Sequence, residues 1–351
     1  MPGETWVLGA TGRVGREVVK RLQQAGAEVV VASRNRERLI HLYPDVRAVT
    51  GSLAQVCARL STAAPAVVIN TVGPFAVTAQ QVARACPPGT HYLDIANELG
   101  AFEQLHGMDE EAAATGSTLV SGAGFGVLGT EAILLHLLAG EEKPSRVRVD
   151  AVASVATDPG ALGEALAATI VKGLLDGGRE VRKGRLVHTR AGGAAVRLTT
   201  PDGDVVTTAS LGGGDLFAAW QASGAPTVIG ASALVPANPA LRAALPVIGG
   251  VLRVPGLVGF ATRTLARATT TTAKDRPRRS SWGRARVEWS SGCVREGWLR
   301  TGEGMTFTAS AATEVAQRLA KGEGRPGAFT PARLFGPEVA LTAGAEFVVT
   351  E

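Results

Sequence analysis

The sequence predicts an α/β protein, a doubly wound parallel sheet followed by a second α+β domain with a mainly antiparallel sheet. Three observations carry this. Up to about Ser121 short β-rich runs alternate with helical patterns, a glycine-rich segment directly follows the first strand, and after Gly122-Ala-Gly-Phe-Gly126 the rhythm changes to longer strands. The chain is long enough for both parts: its 351 residues exceed the ~100–200 of a single domain. With 45% hydrophobic and 19% charged residues it has ample apolar material for a core and is not a disordered polymer.

Taken in order, strands are expected over Thr5–Leu8, Glu28–Ala32, Val46–Thr50, Ala66–Thr71, His91–Ile95 and Ser117–Ser121. They are near-continuous apolar runs, as required where helices cover both faces of a sheet. Between them helices are expected over Arg13–Ala25, with Val14, Val18, Val19 and Leu22 on one face, and over Leu53–Leu60, Thr78–Cys86 and Ala101–Ala114. Beyond Gly126, Val147–Val155, Ala194–Thr199, Val205–Thr208 and Arg284–Ser290 read as strands and Ala161–Leu175 as a helix, with a hairpin turn at Asp202-Gly203. The expected domains are residues 1–121, 122–325, and a terminal segment 326–351.

Composition narrows the function classes. The net charge is +5, and the one dense basic cluster, Lys274-Asp-Arg-Pro-Arg-Arg279, has no interleaved aromatics, so it reads as a solvated loop and no nucleic-acid partner is expected. The three cysteines Cys57, Cys86 and Cys293 make no disulfide framework and fit a reducing cytoplasm. The N-terminus lacks a basic leader followed by an apolar segment, so no signal peptide is expected. The most apolar stretch, Ala225–Leu265, is broken by Pro226, Pro236, Pro239, Pro246 and Pro255 and is not expected to span a bilayer. A buried core or a subunit contact is its plainest reading; lining an apolar ligand cavity or resting on a membrane surface are the alternatives.

The chemistry begins at Trp6-Val-Leu-Gly9-Ala-Thr-Gly12-Arg-Val-Gly15, a G-x-x-G-x-x-G loop between the first strand and the first helix. In that context Gly9 allows the tight turn, Gly12 lets the backbone approach a pyrophosphate, and Gly15 packs the helix close to the sheet. The helix start offers free N–H groups to phosphates, so Gly9, Thr11, Gly12, Arg13, Val14 and Gly15 are assigned to a dinucleotide. The second strand ends Ser33-Arg34-Asn35-Arg36, with no carboxylate for a ribose 2′-hydroxyl. Ser33, Arg34 and Asn35 instead suit a 2′-phosphate, which favours NADP(H) over NAD(H). Arg36 either assists or begins the next helix. The fourth strand ends Asn70-Thr71-Val72-Gly73-Pro74-Phe75 at the same carboxyl edge, where ligands of open sheets bind, and these six residues are assigned to the nicotinamide side.

These segments, with Gly89-Thr-His-Tyr-Leu-Asp94-Ile-Ala-Asn-Glu98, Gly122-Ala-Gly-Phe-Gly126, Gly214-Asp215…Trp220…Pro226 and Gly327-Ala-Phe-Thr-Pro-Ala332…Phe335-Gly336, resemble the saccharopine dehydrogenase-like family of NAD(P)-binding oxidoreductases, which includes trans-acting enoyl reductases. The resemblance implies a Rossmann domain, then an α+β domain that forms the substrate cleft and often a dimer surface. It also implies a last segment that returns toward the first domain. A homodimer is therefore expected. The apolar Ala225–Leu265 stretch departs from what an amino-dicarboxylate substrate needs and suits a greasier one.

Hydride transfer calls for positioning and an acid near the accepting atom. Only Tyr43 and Tyr92 occur, neither followed four residues later by Lys, so the dyad of short-chain dehydrogenases is absent. The tip of the fifth strand supplies the candidates Tyr92, Asn97 and Glu98; Glu98 either acts as an acid or caps the next helix. Phe125, Asp215 and Trp220 are substrate candidates. His41, His91, His106, His136 and His188 lack metal-ligand spacing, and neither a G-x-S-x-G elbow nor a Walker motif occurs, so no metal is expected. The resulting expectation is an NADPH-dependent reductase of a conjugated C=C or C=N bond in an apolar metabolite, with an acidic acyl carrier protein as a partner suited to the basic balance. The alternative is an NADPH-binding redox sensor without catalysis.

Overall fold

The computed structural model describes residues 3–140, 142–154, 177–252, 256–267 and 280–349, and isolated positions between 167 and 175. The helix expected over Ala161–Leu175 and the basic cluster Lys274–Arg279 lie outside the continuously described residues.

In chain order the first part holds β1 (Thr5–Leu8), α1 (Arg13–Gln24), β2 (Val29–Ser33), α2 (Arg36–Leu42), β3 (Ala48–Thr50), α3 (Leu53–Ala63), β4 (Val67–Asn70), α4 (Phe75–Ala85), β5 (His91–Asp94), α5 (Leu99–His106), α6 (Asp109–Ala114), β6 (Thr118–Val120) and α7 (Phe125–Leu138). There follow β7 (Arg146–Val152), β8 (Gly178–Arg182), β9 (Arg185–Thr189), β10 (Val196–Thr199), β11 (Val205–Ser210), α8 (Gly214–Ser223), β12 (Thr227–Ser232), α9 (Pro239–Leu252), α10 (Leu257–Arg267), β13 (Ser281–Glu288) and β14 (Val294–Thr301). The chain closes with α11 (Gly304–Ala320), β15 (Gly327–Phe329), α12 (Pro331–Phe335), α13 (Glu338–Thr342) and β16 (Glu346–Val348).

Two compact units result: residues 1–96, 100–128 and 305–344, and residues 97–99, 129–304 and 345–351. The boundary thus differs from the one expected at Ser121, because the first turn of α7 stays with the first unit, and the return begins at Met305 rather than at 326.

The first unit is a seven-stranded sheet in the order β15-β6-β5-β4-β1-β2-β3, parallel throughout. The strand order reverses between β1 and β4, the switch point at which doubly wound sheets bind ligands. The seventh strand, β15, pairs with β6 and extends the six strands expected from the first 121 residues. Two helices differ from expectation. The span 101–114 divides into α5 and α6 around Gly107-Met108, and α2 starts at Arg36, one of the two readings left open there, and runs to Leu42. Asn35 caps α2, its side chain accepting from Arg38 N–H, and Ser52 and Gln55 form a reciprocal capping box on α3. The core is built from β1, β2, β4 and β5 and from the apolar face of α1, where Val14, Val18, Val19 and Leu22 are all buried.

The second unit carries a nine-stranded sheet, β10-β11-β12-β7-β13-β14-β16, with β8 on β12 and β9 on β8; only β12 and β7 run parallel. One face holds a buried ionic chain. Asp150 accepts from Arg148 Nε at 2.9 Å and Arg284 Nη1 at 2.7 Å, Thr208 donates to it at 2.7 Å, and Arg284 forks onto Glu296 at 2.7 and 2.6 Å. Every charge has a hydrogen-bonded counter-charge, which is what makes such burial tolerable. On the other face Gly283 admits the backbone of Gly129 in α7, where a Cβ would collide with the Gly129 carbonyl.

Candidate functional site

The three glycines of the first loop take the shapes the spacing demands. Gly9 has φ +81°, and a Cβ there would lie 2.5 Å from Thr71 Oγ1. A Cβ at Gly15 would collide with the Gly9 carbonyl, so only glycine lets α1 start this close to β1. Exposed Gly12 is the N-cap of α1, and no side-chain cap hydrogen bond is made there. This arrangement suits an anionic pyrophosphate, whose charge the helix start favours. Tyr43 secures the loop by donating to Ala10 O at 2.9 Å; burial pushes the Tyr43 pKa up while Arg16 pulls it down. This strut spans 33 residues of sequence, and no local pattern announces it.

At the end of β2, Ser33 Oγ lies 2.9 Å from Thr11 Oγ1, joining the β2 tip to the glycine loop. Arg34 is exposed beside it, and Arg36 begins α2. Asn35 is exposed too, and its Oδ1 accepts from the N–H of Arg38. It shapes the turn that presents Arg34.

The loop after β4 is built from within. Asn70 is fully buried; its Nδ2 donates to Tyr92 Oη at 3.1 Å and Thr78 Oγ1 at 3.3 Å, and its Oδ1 accepts from Val72 N–H at 3.0 Å. Its side chain therefore holds the loop and has none of its surface free for a cofactor, contrary to expectation. Thr71 Oγ1 donates to Leu8 O at 2.7 Å, tying this loop to the end of β1. Gly73 and Pro74 are exposed, and Phe75, half-buried, begins α4.

Tyr92 also requires correction as a catalytic candidate. It is fully buried and donates to Asp94 Oδ2 at 2.9 Å, so it cannot meet a substrate without the sheet opening. Its partner Asp94, which the strand alternation places on the same face but which was given no site role, is the organising residue. Asp94 Oδ1 accepts from the N–H of Ala96 and of Gly122, each at 3.0 Å, and from Ser121 Oγ at 3.2 Å. Burial pushes its pKa up to about 6, against the pull of those hydrogen bonds. An acid two residues after a tyrosine at the carboxyl end of an otherwise apolar strand was the available signal.

In the second unit the chain at Asn97–Glu98 meets the start of α8. Glu98 forms an isolated bridge with Gly213, and Asn97 O accepts from Gly214 N–H at 3.0 Å. Glu98 is buried, and Asn97 Oδ1 is a buried acceptor with no hydrogen-bond partner. Asp215 joins them: a Cβ on Gly213 would collide with Asp215 Oδ1 and lie 3.5 Å from Asn97 Oδ1. Burial pushes the Asp215 pKa up to about 7; the amides of Leu216 and Asp215 oppose this and the Asp150 charge adds to it. Trp220, half-buried, lies at the far end of α8. Phe125 belongs to the first unit, where it packs edge-to-face with Phe307 at 6.4 Å and its N–H donates to Thr308 Oγ1 at 3.1 Å. The expected substrate set is thus divided, with Asp215 beside Asn97 and Phe125 in a separate aromatic contact. Among the described residues, no cluster of His, Cys, Asp or Glu has the makings of a metal site.

The two raised carboxyl pKa values have a thermodynamic consequence. Between about pH 4 and pH 7 the folded protein retains protons at Asp94 and Asp215 that the unfolded chain has released, so their contribution to stability falls as pH rises through that window. Asp215→Asn is expected to gain on the unmodified protein by a few kcal/mol on going from pH 4.5 to pH 8. Urea unfolding at both pH values measures this; a pH-independent difference contradicts it.

A parallel sheet with this strand order, a glycine loop at its switch point and an uncapped first helix define a Rossmann dinucleotide-binding domain, here joined to an α+β unit. Residues 6–98 match the family model described as NADP oxidoreductase, coenzyme F420-dependent. Apo saccharopine dehydrogenase (L-Glu forming) from Saccharomyces cerevisiae superposes with a TM-score of 0.59 at 12% identity, covering 99% of this chain and 100% of that one. Serine dehydrogenase from Escherichia coli matches 34% of this chain and 80% of its own, at 16% identity and a TM-score of 0.30. A short-chain dehydrogenase from Sphingobium yanoikuyae in complex with NADPH matches 34% of this chain and 71% of its own, at 17% identity and a TM-score of 0.29. No curated protein matches the chain. The protein has the saccharopine dehydrogenase-like fold, as its motifs resemble.

Proposed function

We propose that the protein is an NADPH-dependent reductase acting on a conjugated C=C or C=N bond of an apolar metabolite. The observation that carries this is the first-unit edge itself, where an uncapped helix start stands beside a β2 end with Ser33 and Arg34 and no carboxylate. The glycine loop fits the cofactor physically, since Gly9 and Gly15 leave backbone where a side chain would intrude. In this reading the start of α1 holds the pyrophosphate, Thr11 and Ser33 hold the adenosine ribose, and Arg34 pairs with the 2′-phosphate. Gly73, Pro74 and Phe75 flank the nicotinamide ribose. When bound, NADPH supplies the hydride.

Asn97 and Glu98 follow Asp94 on the chain, so the anchor at Asp94 fixes where this segment leaves β5. Asn97 Oδ1, buried without a hydrogen-bond partner, is the candidate acceptor for an N–H or O–H of the substrate, and Glu98 is the candidate acid. An acyl-carrier-borne substrate, a homodimer and a cytoplasmic location belong to the same reading, the last supported by the free thiols of Cys57, Cys86 and Cys293.

NADPH absorbance decay over a panel of enones, imines and ketones, run beside a binding titration, tests this. Turnover of an enone or imine supports it; tight binding without turnover of any substrate points to a sensor. Exchanging Arg34 for Asp is expected to weaken NADPH ~10–100-fold and to improve NADH, since one charge-assisted contact to phosphate contributes about 1.5–3 kcal/mol. Unchanged affinities for both cofactors would contradict the assignment of Arg34.

A further inference from the structure

The helix α9 buries one side and leaves the other without cover, and no described side chain of α10 is fully buried. On α9 Leu245, Gly249 and Leu252 are buried, and Leu245 packs with Ala191, Ala209 and Val235. Away from that contact Leu241, Val247, Ile248 and Val251 are 56%, 68%, 41% and 54% exposed, and Val258 and Phe260 of α10 are 38% and 62% exposed. Elsewhere among the described residues exposed large hydrophobic side chains are scattered along the chain; here they gather on two consecutive helices.

Charge points to the occupant. From Leu216 to Lys274 the sequence contains no Asp or Glu, while the charged residues of the two helices are Arg242 on α9 and Arg263 and Arg267 on α10. An isologous contact between two copies of this face would set cations against cations with no carboxylate from the segment to separate them. The aromatic anchors Trp and Tyr of protein interfaces are also missing, since neither occurs between Gln221 and Ser281. Aliphatic side chains and one phenylalanine, flanked by basic residues only, match the non-directional chemistry of a lipid surface with anionic headgroups. Neither helix can cross a bilayer, and no described helix is long and apolar enough to do so.

We propose that the exposed side of the α9–α10 hairpin docks the protein onto an anionic lipid bilayer, lying in the headgroup region without spanning it. This stands independently of the reductase reading, because its readout is binding and not turnover.

The test is co-flotation of the full chain with phosphatidylcholine vesicles and with vesicles of phosphatidylcholine mixed with phosphatidylglycerol. Partition onto the anionic vesicles is expected to be at least ~10-fold stronger and to weaken with added salt. The double variant Val247→Asp/Phe260→Asp is expected to lose it, and Leu341→Asp, at an exposed apolar position on α13, to retain it. Should the double variant fold poorly, hydrogen exchange of the unmodified protein serves instead, with protection over 239–267 expected only on adding anionic vesicles. Failure to float, equal partition onto both vesicle types, or no new protection of the hairpin would overturn the proposal. So would a dimer, seen by light scattering, that the double variant dissociates in the absence of lipid binding, or retention of lipid-free protein by an acidic protein partner through this face.

Discussion

Replacing Gly15 by valine is expected to abolish NADPH binding, raising its Kd at least ~100-fold, and to destabilise the fold by about 1–3 kcal/mol. A side chain there meets the Gly9 carbonyl and lies 3.0 Å from Gly9 C and 3.1 Å from Ala10 Cα, all of it backbone that no rotamer change can move aside. Loop and helix must separate, and the amides that converge on the pyrophosphate lose their common focus. Gly250→Ala, where an added Cβ meets nothing within 4 Å, is the matched control and is expected to bind NADPH normally. Calorimetric titration and thermal melting of the two variants measure both effects; normal binding by the valine variant would show that this loop is not the cofactor seat.

Asp94→Ala is expected to be the most damaging single change in the first unit, at about 3–5 kcal/mol. It strands four donors at once, namely the Tyr92 hydroxyl, Ser121 Oγ and the N–H groups of Ala96 and Gly122. Asp94→Asn keeps an acceptor at one position and lets the Tyr92 hydroxyl turn to accept, so its loss is expected to be smaller. Urea denaturation of the two variants separates these outcomes. An alanine variant within about 1 kcal/mol of the unmodified protein would mean that water replaces the lost acceptor, and that the Asp94 network does not hold the carboxyl edge of β5 and β6.

Much of the first unit was legible because its signals are local. The strand–glycine loop–helix sequence, the apolar face of α1 and the missing carboxylate after β2 each lie within a few consecutive residues. What stayed hidden depends on partners far away in sequence. The Tyr43–Ala10 strut, the joining of β15 to β6 and the Asp150 chain from Arg148 to Arg284 have no local trace. Asn70 and Tyr92 were read as site residues because they stand on strands that end at the ligand-binding edge, yet each side chain turns into the interior and finds the other. The Ala225–Leu265 stretch left its readings open for another reason: hydrophobicity states how much apolar surface exists, not whether neighbours cover it. Leu245 and Val247, two residues apart on α9, are respectively buried and largely exposed.

The central claim is that this sheet edge seats a dinucleotide bearing a 2′-phosphate. Isothermal titration of the unmodified protein with NADPH and with NADH tests it most directly. Saturable binding of NADPH is expected, at least ~10-fold tighter than NADH, from one additional charge-assisted phosphate contact through Arg34. Equal affinities, or no heat with either nucleotide, would contradict it.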